Sequence, residues 1–416
     1  MVLRKTPLYL LLLFIGFASC KKASIVPQSL KGKNLVLTSF DQLKVTADNA
    51  FTLKLFKNLD SANTSGNNLF VSPLSVSFAL GMTSNGSAGQ TLTAFQNTLN
   101  FAGLTQLQAN SYYNNLITNL PQLDPNTIIN IANSIWYKQG FSVLPQFLQT
   151  NSTYFHAQIQ SLNFADPAAI TTINNWVSTQ TNGKIPSIIT QIPANAIMYL
   201  VNAMYFKSEW QEKFDPAQTQ TKPFYLADNS TVQASFMTGS IDFNAYFDNK
   251  VDVFELPYSN NKYSMVIVMP ANEATPLTAI TTGLDSTQWQ TWMAGLTPNK
   301  ANITLPKFKF SYSILLNNAL TDLGLGIAFS DNADFSLINP DPAYQLKINQ
   351  VMHKAYVETD ESGTTAAAAT SVGIVTAIAS APTPIINRPF MFAIRQISSG
   401  LILFVGTVNN PLLTGN

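Results

Sequence analysis

The sequence predicts an α+β fold in one large domain with more than one sheet, and three observations predict it. Helical and strand-like patterns are interleaved along the chain without any repeat period. Several strand-like runs are continuously apolar, as expected of strands buried on both faces. No low-complexity linker divides the body. The bulk composition agrees: 416 residues, 46% of them apolar, with 27 Phe, 14 Tyr and 5 Trp, supply a large core. Formal charge is only +1 and charged residues make up 11%. No global field therefore recruits nucleic acid or acidic lipid.

The N-terminus reads as a leader. Arg4 and Lys5 precede an apolar run from Leu8 to Ala18, followed by Ser19 and Cys20. That run is shorter than the roughly 20 residues a spanning helix needs. Cys20 is the single cysteine, so neither an intrachain disulfide nor a cysteine metal cluster is available. The expected organisation is a leader over 1–19, an anchor and tether over 20–44, and a body over 45–413.

Within the body, Ala50, Phe51, Leu53, Leu55, Phe56 and Leu59 have the spacing of an amphipathic helix. Asn68 to Val71 reads as a short buried strand, and Pro73 opens a second helix, where its missing N–H costs nothing. Ile128 to Tyr137 and Met198 to Phe206 read as strands, Ile170 to Thr179 as a helix, and Asn182 to Pro186 as a turn. Tyr263 to Met269 (YSMVIVM) is the clearest doubly buried strand. Ile303 to Phe310 alternates with Pro306 inside it, which predicts an edge or bulged strand. Leu401 to Val408 is a further buried strand.

Candidates for catalysis are few. There are two histidines, His156 and His353, and no Gly-x-Ser-x-Gly, His-Glu-x-x-His or Gly-x-Gly-x-x-Gly motif. His353 lies in a strand-like stretch and is expected to be buried and hydrogen-bonded; His156 is expected in packing or at the surface. An enzyme, a metal site and a cofactor are not expected.

The informative stretch is ETDESGTTAAAATSVGIVTAIASAPTP, Glu358 to Pro384. From Gly363 to Ser380 it carries no charge, proline or aromatic side chain. As a strand, one register presents Thr364, Ala366, Ala368, Thr370, Val372 and Ile374, a face of small and aliphatic groups. Such a segment can live in solvent and also enter a sheet without steric or desolvation obstacles. A plain Ala-rich linker fits the composition as well.

The flanking residues carry a resemblance. His353-Lys354-Ala355 and Glu361-Ser362-Gly363-Thr364-Thr365-Ala366-Ala367-Ala368-Ala369 resemble the reactive-loop hinge of the serpins. Asn387 to Phe392 and Leu403 to Pro411 resemble that family's closing signature. Asn68 to Ser75, Asn182-Gly183-Lys184-Ile185, Asn202 to Lys207 with Trp210, and Leu305-Pro306-Lys307-Phe308 match in the same order. The resemblance covers about 45–411. It implies three β-sheets, eight or nine helices and an exposed, insertable reactive loop over about 361–386.

By the same resemblance the chain is a suicide substrate of serine proteases, with cysteine proteases as a second class. The hinge comprises Glu361, Gly363, Thr364, Thr365, Ala366, Ala367, Ala368 and Ala369, of which Gly363 to Ala369 would insert into the main sheet after acylation. Family spacing puts the reactive bond at Ala377–Ile378, with cuts after Thr376 or before Ala379 also open, which suits elastase-like proteases. Ser72, Ser75, Asn202, Trp210 and His353 match the cluster that controls sheet opening. Phe17-Ala18-Ser19-Cys20 resembles a bacterial lipobox, although Phe17 departs from the usual aliphatic residue, and an ordinary leader with a chance cysteine is the alternative. It implies acylation of Cys20 and attachment to a bacterial envelope membrane. Residues 101–123 contain no Lys or Arg, so heparin-type activation is not expected, and the working form is a monomer without nucleic acid. A non-inhibitory binding or chaperone-like relative is the alternative function.

Overall fold

The computed structural model describes residues 32–101, 103–364 and 384–415. In chain order the first elements are α1 (Ser39–Ala62), β1 (Leu69–Val71), α2 (Pro73–Ser84), α3 (Gly89–Thr98) and α4 (Gln106–Asn119). Then come β2 (Ile128–Lys138), α5 (Pro145–Phe155), β3 (Gln158–Leu162), α6 (Ala168–Gln180) and β4 (Met198–Glu209). The middle holds β5 (Gln220–Tyr225), β6 (Thr231–Phe247), β7 (Val251–Pro257), β8 (Tyr263–Pro270), α7 (Thr278–Thr281) and α8 (Ser286–Ala294). It continues with β9 (Thr297–Pro306), β10 (Phe308–Leu315), α9 (Asn317–Leu320), β11 (Met352–Asp360) and β12 (Gly363–Thr364). β13 (Phe390–Gln396) and β14 (Ile402–Val408) close the chain.

Two hydrogen-bonded networks organise these strands. One is a six-stranded sheet in the order β10-β11-β12-β4-β2-β3. The other runs β1-β14-β13-β8-β7-β6-β5, with β9 paired to β6. The three sheets implied by the resemblance appear in this form because β6 is long and shared. It pairs with β5 over Thr231 to Phe236, with β9 over Phe236 to Ala245 and with β7 over Asn244 to Phe247. Nine α-helices occur among the described residues.

Apolar sequence and burial correspond closely where strands are central. All eight residues of β8 are buried between β7 and β13. Ser72 caps α2 by accepting from the Ser75 N–H, with Pro73 in the first turn, and nearly the whole helix is buried. α2 packs against β4 and β14, so it lies beneath the six-stranded sheet. On that sheet's outer face Trp136, Ile173, Val177, Ile185, Val201 and Ala203 form a second core beneath α6.

Two expectations are corrected. Ordered structure begins before Val45: α1 starts at Ser39, so the expected tether over 20–44 is too long. Thr38 and Asp41 form a reciprocal capping box there, which satisfies two backbone donors and nucleates the helix earlier than the apolar spacing shows. The run from 303 to 310 is not one edge strand. It breaks at Lys307 into β9 and β10, which belong to different networks. Pro306 ends the first, as a residue without an N–H readily does. Among the described residues no helix is long and apolar enough to cross a membrane.

Candidate functional site

The site lies along the line where β4 and β11 face each other. β12 stands between them at one end, antiparallel to both: Gly363 pairs with Asp360 and Glu209, and Thr364 with Thr359 and Ser208. Beyond β12, no ladder joins β4 to β11 among the described residues. A cavity of about 260 Å³ lies there, lined by Leu200, Asn202, Val351, His353, Ser75 and Leu80 among others.

At the β12 end, local chemistry explains the conformation. The Asp360 carboxylate accepts from the N–H groups of Ser362 (2.9 Å) and Gly363 (3.3 Å), which turns the chain back on itself. Gly363 sits at φ +149°, and a Cβ there would lie 2.2 Å from the Ser208 carbonyl oxygen. Only glycine fits this close approach. Thr364 is 2% exposed; its hydroxyl lies 2.6 Å from the Tyr258 hydroxyl and 3.4 Å from that of Thr359.

Trp210 stacks on Tyr258, with ring centroids 4.7 Å apart, and its Nε1–H donates to the Asp360 carbonyl at 2.9 Å. Glu361 accepts from Lys307 at 2.7 and 3.0 Å and from the Thr219 hydroxyl at 2.7 Å. Burial works against the Glu361 carboxylate, yet these donors hold its pKa below the ordinary value.

Further along the line, a buried polar chain crosses from β11 to β4. The Ser72 N–H donates to His353 Nε2 at 3.1 Å, and the Ser72 hydroxyl donates to the Leu403 carbonyl at 2.8 Å. The Ser75 N–H donates to the Ser72 hydroxyl at 3.2 Å, and the Ser75 hydroxyl donates to Asn202 Oδ1 in a short contact. Asn202 Nδ2 donates onward to Asn133 Oδ1 at 2.8 Å, and Asn133 donates to the Phe155 carbonyl at 2.8 Å. Because Nε2 is an acceptor, His353 is neutral; burial presses its pKa from 6.5 down to about 4. The start of α2 thus ties β11 to β4 through hydrogen bonds.

The structure brings together Ser72, Ser75, Asn202 and His353 as one network, with Trp210, Glu361, Gly363 and Thr364 at the sheet's end. Asn133, Tyr258, Thr219 and Asp360 were missed. Asn133 sits in a strand-like run that also holds Asn130 and Ser134, so nothing local singled it out; the structure places it directly opposite Asn202. His156 is the exposed, left-handed cap of α5 and takes no part. The hinge residues Thr365 to Ala369, the reactive-bond residues Thr376, Ala377, Ile378 and Ala379, and Cys20 lie outside the described residues. No cluster of three His, Cys, Asp or Glu side chains suited to a metal occurs among the described residues.

β4 and β11 run parallel with no ladder between them beyond β12 among the described residues, and a glycine-led strand is already seated at one end, an arrangement suited to taking up further chain. The family model described as Serpin (serine protease inhibitor) matches residues 46–411. The leukocyte elastase inhibitor of Sus scrofa is 34% identical over 377 residues, covering 88% of this chain and 98% of the relative. Neuroserpin of Gallus gallus is 30% identical, covering 86% and 90%. A crystal structure of the thermophilic serpin tengpin in its native state superposes with a TM-score of 0.81 at 33% identity, covering 91% and 96%. With this architecture, these matches and the ordered motifs from Asn68 to Pro411, the chain belongs to the serpin family.

Proposed function

We propose that the chain inhibits serine proteases as a suicide substrate, by taking its own reactive loop into the six-stranded sheet, with elastase-like enzymes as targets. The observation that carries this reading is the seat of β12 between β4 and β11, antiparallel to both. Continuing the registers Thr364↔Ser208 and Thr364↔Thr359 would bring residue 366 between Phe206 and Val357, and 368 between Met204 and Ala355. Residue 370 would come between Asn202 and His353. The sequence supplies Ala366, Ala368 and Thr370 at these positions: two small groups over buried apolar neighbours, then a hydroxyl beside the polar network.

In the proposed reaction the protease serine attacks the carbonyl carbon of Ala377. The bond to the Ile378 nitrogen breaks, that nitrogen leaves as an amine, and an ester joins inhibitor to protease. Loop uptake then competes with attack of water on the ester. Named relatives that are elastase inhibitors, and a small residue at the bond, support the elastase-like choice. Arg388, the nearest basic residue on the C-terminal side, is paired with Glu273 at 3.0 Å, which disfavours trypsin-like recognition. The lipobox at Cys20 supports a lipid-anchored protein of a bacterial envelope.

The test is incubation with an elastase-type serine protease, followed by a denaturing gel and a melting curve. A covalent band near the summed masses, and a sharp rise in melting temperature of the nicked protein, are expected. Cleavage across several proteases with neither change refutes inhibition and favours a non-inhibitory binding protein.

A further inference from the structure

The first residues of the body present an unusual surface. Val36 is 79%, Phe40 53% and Leu43 54% exposed, while Leu35 and Leu37 between them pack on the core. Phe40 and Leu43 are three apart on α1 and share a helix face, and Val36 lies just before its cap. Isolated exposed apolar groups need no explanation; three within eight residues do. The charges around them are one-sided. Between residues 32 and 59 the acids Asp41 and Asp48 are buried, at 8% and 2% exposed. Asp41 is tied to the Thr38 N–H at 2.9 Å, and Asp48 is paired with the buried Lys44. Of the charged groups left to solvent on this segment and on α1, Lys33, Lys54 and Lys57 are basic, and the partly buried Asp60, which accepts from the Thr281 hydroxyl, is the one acid.

This surface adjoins the place where the described chain ends. Only eleven residues separate Cys20 from Gly32, a reach of at most about 40 Å, and they include Lys21, Lys22 and Lys31. We infer that Val36, Phe40 and Leu43, with Lys33 beside them, form a membrane-contact surface that seats the body on an anionic bilayer. The inference rests on the lipid-anchor reading, because an acyl chain at Cys20 holds this face within reach of the headgroups. An apolar patch with a basic neighbour adds its own buried area and charge attraction to a lipid attachment.

The full-length protein is isolated from a bacterial envelope and the acylation of Cys20 is read by mass spectrometry. A Leu43→Cys variant carrying an environment-sensitive fluorophore is reconstituted into vesicles of phosphatidylethanolamine and phosphatidylglycerol, with Thr287→Cys as control. The label at residue 43 is expected to shift to the blue and to be quenched by headgroup-labelled lipid, and the control is not. An anchored protein whose residue 43 stays solvent-like overturns the surface while leaving the anchor intact. If Cys20 carries no lipid, the anchor reading fails separately. The surface then stands if Phe40→Ser/Leu43→Ser lowers co-flotation with the same vesicles on the order of tenfold, and falls if the parent does not co-float. A concentration-dependent dimer that this double variant dissociates assigns the face to a second copy and overturns the proposal.

Discussion

Acidification should loosen the seam between β4 and β11 through one residue, His353. The ring is buried and neutral, and its Nε2 accepts the Ser72 N–H that holds the start of α2 to β11. Its pKa is about 4 in the closed sheet against 6.5 in solvent. A depressed value in the folded state means that the stabilising contribution is complete above pH 6.5 and is lost as pH falls towards 4. The difference between these values, at about 1.4 kcal/mol per unit, totals about 3 kcal/mol. At pH 5 the solvated ring is almost fully protonated and the buried one is not, so about 2 kcal/mol is already gone.

If His353 is solvated when the strands part, opening at pH 5 should be up to about thirtyfold faster than at pH 7.5. The assay is uptake of a fluorescent peptide copying residues 363–374, followed by anisotropy across this range. His353→Gln keeps an acceptor for Ser72 and removes the titration, so its profile should be flat. A flat profile in the parent, or an unchanged slope in the variant, refutes the reasoning.

Three further outcomes are expected. Thr364→Arg directs a cation at buried Tyr258 and forfeits two hydroxyl contacts. Because an unpaired buried charge costs several kcal/mol, the variant should be cleaved as a substrate without forming the covalent band; unimpaired inhibition sinks the hinge assignment. Lys307→Met removes the ion pair to Glu361, which is 12% exposed at the side chain while Lys307 is 37%. Solvent screening limits the loss to about 1 kcal/mol, read as a small, salt-dependent fall in urea midpoint; a fall that salt does not alter contradicts a charge origin. Lys184, on the connection between α6 and β4, pairs with Glu358 of β11 at 3.2 Å and lies over the Tyr356 ring at 4.8 Å. Lys184→Met should free that connection and speed peptide uptake roughly two- to fivefold; an unchanged rate shows that the contact does not restrain opening.

Strands β8 and β14 were legible because burial on both faces writes an apolar run into the chain, and the start of α2 because Pro73 can occupy a first turn and little else in a helix. The break at Lys307 was not, since neighbouring strands in one chain give no sign of which sheet each will join. By itself, the ordered set of local patterns determined the family, the interleaved α+β fold and the small, uncharged character of residues 363–369, all properties of residues close together in sequence. Tertiary structure alone decided that Ser72 meets His353, that Thr364 meets Tyr258, and that β12 rests between β4 and β11. Those contacts join residues separated by 281 and 106 positions, and such pairings arise from packing whole elements against one another rather than from any local preference.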